Sequence, residues 1–333
     1  MDLTLELGTF NVLIGENGCG KSNILEALAF GAAACADKLD YEFLGSRGVR
    51  VTNPEFMYAA FENINENKQI LISYKTDNEF FSNYTYPLTH DPANPRKWVN
   101  KSSERSYKLS VNQIAPILNE NNAALRAAKA NVLLKDNKVL IKRIESLRDT
   151  LLVVVNSDPQ TYSIEKLIEV IGDMNIGLIN TNPVISNFII YAPEQSSLRK
   201  FEETNQIYPL GIKGEGLFQY LKDLGANEKN NELLKAIKSN LILLDWYEKF
   251  DLPESSLSND FTLNIKDKYL NPQLQYFDQR STNEGFLYLL FYSVLFLSDD
   301  TPAFFAIDNI DTSLNPKLCM QLIRSLVELA QKR

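Results

Sequence analysis

Residues 15–22 read Gly15-Glu16-Asn17-Gly18-Cys19-Gly20-Lys21-Ser22 and match the pattern G-x-x-x-x-G-K-[ST]. The apolar run Phe10-Asn11-Val12-Leu13-Ile14 precedes this stretch and is typical of a short buried strand. Residues 23–30 follow with apolar positions at helical spacing and good helix formers. A strand, a glycine loop and a helix in this order are the context that a phosphate-binding loop requires. A glycine-rich turn that matches by chance is therefore the weaker interpretation.

Each residue type in the loop suits the binding of a nucleoside triphosphate. Gly15, Gly18 and Gly20 let successive backbone N–H groups turn toward phosphate oxygens, and the following helix adds its positive N-terminal end. Lys21 can reach the β- and γ-phosphates, and the Ser22 hydroxyl can ligate Mg²⁺. The expected ligands are therefore ATP and Mg²⁺.

Two asparagines, Asn17 and Asn23, extend the motif to Gly-Glu-Asn-Gly-Cys-Gly-Lys-Ser-Asn. This sequence resembles the phosphate loop of the SMC, RecF and OLD-like (overcoming lysogenization defect) ATPases of the AAA family, which are soluble ABC-type heads. The resemblance implies an α/β P-loop NTPase fold with a mixed or parallel sheet, flanking antiparallel strands and a largely helical insertion. It also implies that Asn17, Cys19 and Asn23 lie at the nucleotide, and that two heads form a homodimer around ATP.

A second apolar run ends in an acid. Residues 303–307, Ala-Phe-Phe-Ala-Ile, are followed by Asp308, which is the form of a Walker B strand. An aspartate at the carboxyl end of a parallel strand beside the phosphate loop can hold Mg²⁺ through its water shell. Taken alone, the residues also describe a buried strand with a turn aspartate, but the phosphate loop favours the metal site. We therefore expect Ser22 and Asp308 to be the metal residues.

The residue after Asp308 departs from the family that the loop resembles. A glutamate there orients and polarises the attacking water, whereas Asn309 can hold a water but cannot act as a carboxylate base. Either hydrolysis is slow and ATP holds a long-lived dimer, or Asp311 or an acid elsewhere takes the role. We favour slow turnover, with these candidate catalytic residues: Lys21, Asp308, Asn309 and Asp311. The tail Ser313-Leu314-Asn315-Pro316 resembles the D-loop, which crosses the dimer interface in ABC-type pairs.

Residues 279–287, Gln-Arg-Ser-Thr-Asn-Glu-Gly-Phe-Leu, lead into an apolar helix. The resemblance places the ABC signature here, where a small polar residue and a glycine at a helix N-terminus meet the γ-phosphate bound by the partner. Asn283 and Gly285 occupy that position and are expected nucleotide-binding residues, with Ser281 slightly earlier. The other interpretation is a helix cap at Ser281 with Glu284 in the capping-box position. Both interpretations can hold for the same residues.

Most of the chain separates the two halves of the expected site. We expect residues 1–110 to form the N-terminal half of the ATPase core, residues 111–255 a mainly helical insertion or lid, and residues 256–333 the C-terminal half. Residues 123–155 favour a short coiled-coil-like arm or a helical lid, without the clean heptads of a long arm. The basic residues of this segment are most simply a solvated helix face, and nucleic-acid contact is the minority interpretation.

Local patterns predict further elements outside the site. A helix is expected over residues 231–250, and Gly214 and Gly216 are expected only as turn and helix-start residues. Strands are expected over residues 56–62, 69–74 and 261–265.

Composition describes a globular protein rather than a disordered or membrane-spanning one. Of 333 residues, 44% are hydrophobic and 23% are charged, and no apolar run approaches the roughly 18 residues that a membrane helix needs. The net charge of −8 argues against a protein that is basic throughout, although a local basic patch for DNA is still compatible with it. The first residues have neither a basic region nor a long apolar core, so we do not expect a secretory signal. We expect a cytoplasmic protein without a membrane partner.

The remaining chemistry-bearing residues add no second site. The cysteines Cys19, Cys35 and Cys319 have neither metal nor disulfide spacing. The single histidine, His90, lies in a polar stretch and is expected on a surface loop rather than in catalysis. Both ends read as cut, which favours a fragment or a gene lacking its flanks.

The leading functional interpretation is an ATP-driven conformational switch, and the resemblance implies that it serves DNA repair or anti-phage defence with an effector or nuclease partner. Two heads close on ATP, and hydrolysis or exchange reopens them. One alternative is the ATPase part of an OLD-type nuclease whose metal-binding Toprim domain lies outside this chain. Another is a scaffold that binds ATP without hydrolysing it, as Asn309 suggests. A transporter ATPase is the weakest option, because the long insertion and the asparagine-flanked loop fit soluble heads better.

Overall fold

The computed structural model describes most of the chain on either side of the long central segment. The described residues are 3–58, 69–75, 83–94, 96–101, 183–200, 209–252, 263–312 and 314–332. The chain divides into two compact units, one of Met1–Ile72, Leu88–Val99 and Pro183–Arg333, the other of Ser73–Pro87 and Asn100–Asn182. The predicted arm at residues 123–155 lies outside the described residues. The division into residues 1–110, 111–255 and 256–333 stays a prediction.

The described residues contain both helices and strands. The helices are α1 (Lys21–Cys35), α2 (Tyr41–Ser46), α3 (Pro54–Met57), α4 (Pro183–Ser186), α5 (Gln195–Leu198), α6 (Leu217–Gly225), α7 (Asn231–Asn240), α8 (Glu284–Leu297) and α9 (Pro316–Lys332), with 3-10 turns at Glu228–Asn230 and Leu241–Leu243. The strands are β1 (Ile70–Lys75), β2 (Asn83–His90), β3 (Trp98–Asn100), β4 (Ile189–Tyr191), β5 (Tyr247–Asp251), β6 (Asn264–Asp267) and β7 (Phe305–Ile307). They form a three-stranded sheet in the order β1-β2-β3 and two strand pairs, β4 with β7 and β5 with β6. Within the described residues, no helix is both long and apolar enough to cross a membrane.

Helix α1 begins directly after the glycine loop, as the sequence predicts. Its N-cap is Gly20, whose φ of 96° lies in the left-handed region that glycine enters without steric cost. The last seven residues of α1 are small or apolar and buried: Ala29, Phe30, Gly31, Ala32, Ala33, Ala34 and Cys35. Helix α1 packs against α4 and β4. The packing therefore anchors the helix whose first turn belongs to the phosphate loop.

Strands β4 and β7 pair in parallel and place Asp308 at their carboxyl end. Ile189 lies opposite Phe305, and Tyr191 lies opposite Ile307. The backbone N–H of Asp308 then donates to the Tyr191 carbonyl at 2.8 Å, which extends the ladder by one bond. The Asp308 backbone is thus fixed by the sheet, and its side chain leaves the sheet at the edge where α/β proteins bind ligands.

The segment before the glycine loop differs from its prediction as a buried strand. Residues 10–14 have no strand assignment, and the Ile14 side chain is 90% exposed. The Asn11 side chain instead accepts from the Gly8 N–H at 2.9 Å and donates to the Gly8 carbonyl at 2.8 Å. Phe10 packs against Phe296, with ring centroids 6.4 Å apart. A strand needs a neighbour for its backbone groups, and this local asparagine turn takes the place of such pairing.

The predicted helix over residues 231–250 is too long. Helix α7 ends at Asn240, a 3-10 turn follows, and β5 begins at Tyr247. The Asn240 side chain donates to Ser293 Oγ at 2.9 Å and accepts from Ser325 Oγ at 2.7 Å, which ties the end of α7 to α8 and α9. The next residues then gain an antiparallel partner in β6. Tertiary contacts therefore override the local helix propensity.

The strand predictions have mixed outcomes. Strand β1 confirms the prediction at residues 69–74, and β6 begins at Asn264, with residues 261–262 outside the described part. The prediction of β structure from residue 56 is wrong for its described part, because Phe56 and Met57 belong to α3. Pro54 is at the start of α3, where its fixed φ favours a helical turn.

Gly214 and Gly216 have the turn and helix-start roles that the sequence predicts. Their φ angles are 95° and 79°, and Gly216 is the N-cap of α6. A Cβ on Gly214 would also overlap the Leu198 side chain. Both positions therefore need glycine for backbone geometry.

His90 is not on a surface loop as predicted. It is the last residue of β2 and is half-buried, with its ring perpendicular to that of Trp98 at a centroid distance of 5.8 Å. Its backbone N–H donates to the Tyr58 hydroxyl at 2.7 Å. The polar residues after His90 form the turn toward β3, and the histidine itself packs inside.

Helix α8 is the centre of the core. Residues 286–296 of this helix are all buried, so that it is apolar on every side, as expected for a helix surrounded by protein. Its neighbours in the core include α5, α7 and α9. The Phe291 ring meets that of Tyr191 edge-on at 5.8 Å, which joins the helix to β4.

We expect Phe291→Ala to lower the free energy of unfolding by about 3–5 kcal/mol, because it removes a fully buried ring and leaves a cavity. Urea unfolding followed by circular dichroism measures this change. Phe56→Ala is the control, since that ring is 70% exposed, and its effect should stay within about 0.5 kcal/mol. Equal losses for the two variants would contradict the placement of α8 at the core.

Candidate nucleotide-binding site

The glycine loop needs its three glycines for two reasons, backbone conformation and lack of space for a side chain. Gly18 and Gly20 have φ angles of 83° and 96°, in the left-handed region. A Cβ on Gly15 would lie 2.7 Å from Cys19 Sγ, closer than side-chain carbons approach sulfur. The predicted loop residues from Gly15 to Cys19 are exposed, and Gly20, Lys21 and Ser22 are half-buried. The loop is therefore accessible to a ligand, and within it the Cys19 N–H donates to the Glu16 carbonyl at 3.4 Å.

Lys21 lies over its own loop. Its Nζ donates to the Gly15 carbonyl at 2.8 Å and to the Glu16 carbonyl at 2.8 Å, and it lies 3.8 Å from Cys19 Sγ. These bonds close the loop around a positive charge. An ammonium group in this position can bind an anion that the loop N–H groups also contact.

The structure brings Ser22 and Asp308 into direct contact. Ser22 Oγ donates to Asp308 Oδ2 at 3.1 Å, although 286 positions separate the two residues in sequence. Both side chains are half-buried. A hydroxyl and a carboxylate are the hard oxygen donors that Mg²⁺ prefers. The pair fits the expected metal site, with Ser22 and Asp308 as the residues that would hold the ion or its water shell.

Arg50 adds a cation that the sequence analysis missed. Its Nε donates to Glu26 Oε1 at 2.6 Å, and its Nη2 donates to Asn23 Oδ1 at 3.1 Å. The hydrogen bond and charge of Glu26 raise the pKa of the guanidinium, and the charge of Asp308 adds to this rise. Asn23, predicted at the nucleotide from the motif alone, thus has an arginine as its partner. Arg50 has no motif spacing that could have indicated it.

Asn309 has a backbone conformation that few residues share. Its φ is 55°, in the left-handed region where asparagine is enriched several-fold over most other residues. Its carbonyl accepts from the Thr312 N–H at 3.1 Å, so Asn309 starts a turn directly after the Walker B acid. The side chain is exposed. The asparagine that follows Asp308 therefore has a role in the backbone turn.

Asp311 lies beside the helices rather than in a contact with the serine–aspartate pair. Burial first, and then the charge of Asp311, raises the pKa of Cys319. The same charge contributes to the raised pKa of Tyr292 on α8, where burial is again the largest cause. Its role as a substitute base stays a prediction.

Helix α8 is capped by Asn283, so the alternative cap at Ser281 is wrong. Asn283 Oδ1 accepts from the Phe286 N–H at 3.0 Å, and the helix starts at Glu284. The Ser281 N–H instead donates to Asp278 Oδ1 at 3.0 Å within the preceding turn. Asparagine is a strong N-cap because its short side chain reaches this N–H. Asn283 itself is exposed.

Gly285 has no internal reason to be glycine. Its φ is not positive, and an added Cβ would make only ordinary contacts, 3.5 Å from Asn283 Oδ1 and 3.8 Å from the side chains of Leu314 and Leu318. Leu314 belongs to the D-loop-like tail, and Asn315 of the same tail caps α9 by accepting from the Leu318 N–H at 2.9 Å. The signature-like residues and the D-loop-like tail are thus neighbours in this chain. Ser313 lies outside the described residues.

These elements define a P-loop nucleotide-binding protein: a glycine loop on a helix, a lysine over the loop, and a serine bonded to the acid of a parallel strand. Residues 10–333 match the AAA_21 family, described as "AAA domain, putative AbiEii toxin, Type IV TA system". The chain belongs to this family, and it is thus an AAA-type P-loop ATPase with an α/β fold. Neither a curated protein nor a solved structure matches it.

We expect Ser22→Ala to weaken binding of Mg-ATP by about tenfold or more, because it removes one of the two oxygens at the metal position. Binding of ATP in EDTA should change little. Titration of a fluorescent ATP analogue with and without Mg²⁺ measures both affinities. Ser22→Thr keeps the hydroxyl and should retain the magnesium dependence. If Ser22→Ala bound Mg-ATP as tightly as Ser22→Thr, the hydroxyl would have no metal role.

Proposed function

We propose that this protein is an ABC-type ATPase head that pairs with a second copy of itself on Mg-ATP and acts as a slow conformational switch. The observation that carries the proposal is the hydrogen bond between Ser22 and Asp308 at 3.1 Å. It joins a phosphate loop near one end of the chain to a strand-terminal acid near the other. This is the arrangement that a Mg-nucleotide requires, with the triphosphate on the loop and the metal between hydroxyl and carboxylate.

Each residue of the site has a separate role in binding Mg-ATP. The loop N–H groups from Gly15 to Gly20 hold phosphate oxygens, and Lys21 neutralises their charge. Bound Mg²⁺ would withdraw negative charge from the terminal phosphates. Ser22 and Asp308 orient that ion. Arg50 is paired with Glu26 and fixes the Asn23 side chain in the first turn of α1 by a hydrogen bond at 3.1 Å.

The proposed pairing face is built around the start of α8. Asn283 is exposed there, and Gly285 is glycine without an intramolecular requirement. The fold itself does not require a small residue at this position. A glycine there is explained if a phosphate of the partner's nucleotide approaches the N-terminus of α8. The nearby Leu314 brings the D-loop-like tail to this face. These contacts support a nucleotide sandwich in which each chain completes the other's site.

Slow turnover follows from Asn309. An amide can hold the attacking water but cannot accept its proton. The positive φ of Asn309 adds a second constraint, because a glutamate would be strained in this backbone conformation. A scaffold that binds ATP without hydrolysis is the second candidate function, and the same residue favours it.

We further propose a role in defence rather than in DNA repair. The family description names a toxin of a toxin–antitoxin system, which is compatible with defence. The net charge of −8 gives no support to a DNA-binding protein that is basic throughout. The ATPase would then control an effector through the opening and closing of the pair.

The first experiment measures pairing and phosphate release together. We expect Mg-ATP to convert the wild-type chain to a dimer in sedimentation velocity, with slow phosphate release, while Lys21→Ala stays monomeric and inactive. The full-length protein is the sample. If the wild-type chain binds Mg-ATP but stays monomeric at saturation, the proposed ATP-driven switch is wrong.

The variant Gly285→Glu distinguishes an effect on dimerisation from an effect on folding. Glutamate is a better helix former than glycine, and a negative charge suits the first turn of α8, so thermal stability should not fall. The same charge would repel the partner's phosphates, so we expect ATP-dependent dimerisation to be lost while the monomer still binds nucleotide. Gly285→Ala is the matched control and should pair more weakly than the wild type but better than the glutamate variant. Undiminished dimerisation of Gly285→Glu would exclude α8 from the interface.

The variant Asn309→Glu tests the proposal that ATP hydrolysis is slow. We expect phosphate release to rise by about tenfold or more as a carboxylate base becomes available. The stability of the fold should fall by about 1–2 kcal/mol because of the left-handed backbone. Asn309→Gly is the control for the backbone and should lose no stability through strain. A wild-type rate that is already brisk and unchanged in Asn309→Glu would show that another group is the base.

A further inference from the structure

Arg199 holds the loop that leads into helix α8. Its Nη1 donates to the carbonyls of Gln279 at 3.0 Å and Arg280 at 2.7 Å, and its Nη2 donates to the Thr282 carbonyl at 2.9 Å. These bonds span about 80 positions of sequence. A guanidinium group is planar and presents its donors in a fixed fork, so three bonds to one loop define the position of that loop closely.

The same loop is held by two further contacts. Gln279 is buried, and its Oε1 accepts from the Leu263 N–H at 2.8 Å. Asp278 Oδ1 accepts from the N–H groups of Arg280 and Ser281, each at 3.0 Å. The carbonyls of the loop thus point to Arg199. Its side chains at Arg280, Ser281 and Asn283 are exposed.

Arg199 also belongs to the framework behind the Walker B acid. It is the C-cap of α5, and its N–H donates to the Gln195 carbonyl at 3.2 Å. Helix α5 follows β4, whose last residue, Tyr191, accepts the bond from the Asp308 N–H. Leu198, the residue before Arg199, is fully buried in the core. One short segment therefore contains both Tyr191, whose backbone carbonyl fixes Asp308, and Arg199, whose side chain fixes the α8 loop.

We propose that Arg199 is a positioning residue that sets the α8 N-terminus for the partner's nucleotide and couples it to the Walker B strand of its own chain. This inference rests on the proposed function, because it assigns Arg199 to the pairing step. Arg199 does not touch its own nucleotide in this proposal. Its loss would therefore weaken pairing while leaving the phosphate loop, Ser22 and Asp308 in place.

The first test compares Arg199→Met and Arg199→Lys with Lys235→Met, whose lysine forms an exposed ion pair with Glu232. We expect Arg199→Met to bind a fluorescent ATP analogue within about twofold of the wild type but to pair at least about tenfold more weakly on Mg-ATP. Arg199→Lys keeps the charge but not the fork and should be intermediate. Lys235→Met should match the wild type in both measurements.

A mixing experiment separates positioning from general damage to the fold. Lys21→Ala lacks a working phosphate loop but has an intact α8 loop. Arg199→Met has an intact phosphate loop but lacks the side chain that holds the α8 loop. When the two are labelled with different fluorophores and mixed with Mg-ATP, one complete composite site forms across the pair. We therefore expect energy transfer in the mixture above that of either variant mixed with itself.

The outcomes distinguish this inference from the proposed function. If the wild type does not pair on Mg-ATP, both fail. If the wild type pairs and Arg199→Met pairs equally well, only the role of Arg199 fails. If Arg199→Met loses nucleotide binding as well, or gains nothing from the mixture with Lys21→Ala, its effect passes through the fold of its own chain, and the positioning role is overturned.

Discussion

The hydrogen bond between Ser22 and Asp308 is the contact on which the rest of the site depends. Each residue is held by a different part of the fold: Ser22 by the first turn of α1, and Asp308 by the ladder between β4 and β7. Neither half forms a metal position alone, since a hydroxyl or a single carboxylate is a weak site for Mg²⁺. The buried half of α1 matters for function because α1 packs against β4, the strand that pairs with the strand before Asp308.

Motifs with a fixed local geometry could be predicted from the sequence. The glycine loop, the start of α1, the strand before Asp308 and the turn glycines Gly214 and Gly216 each follow from residues a few positions apart. The failures share a physical cause. Residues 10–14 lack a strand neighbour, and residues 241–250 leave the helix because Asn240 bonds to Ser293 and Ser325 far along the chain. Arg50 and Arg199 were missed as site residues for the same reason, since their partners are defined only by tertiary structure.

Two positions show how one residue can satisfy the backbone and the chemistry together. Asn309 adopts a left-handed φ of 55°, which glutamate would tolerate poorly, and its amide can hold a water without acting as a base. Asn283 caps α8 with its side-chain oxygen and is exposed at the proposed pairing face. In both cases the geometry of the local turn limits which side chains fit, independently of any role in activity. At position 309 asparagine therefore suits the backbone conformation as well as a role in holding water.

The 286-position separation of Ser22 and Asp308 also has a consequence for synthesis on the ribosome. A chain grows from its N-terminus, so the glycine loop emerges long before the strand that completes the site. Strand β4 likewise waits for β7, its parallel partner, and contacts this distant in sequence close late and slowly. The two halves of the site can therefore meet only after Asp308 has been synthesised.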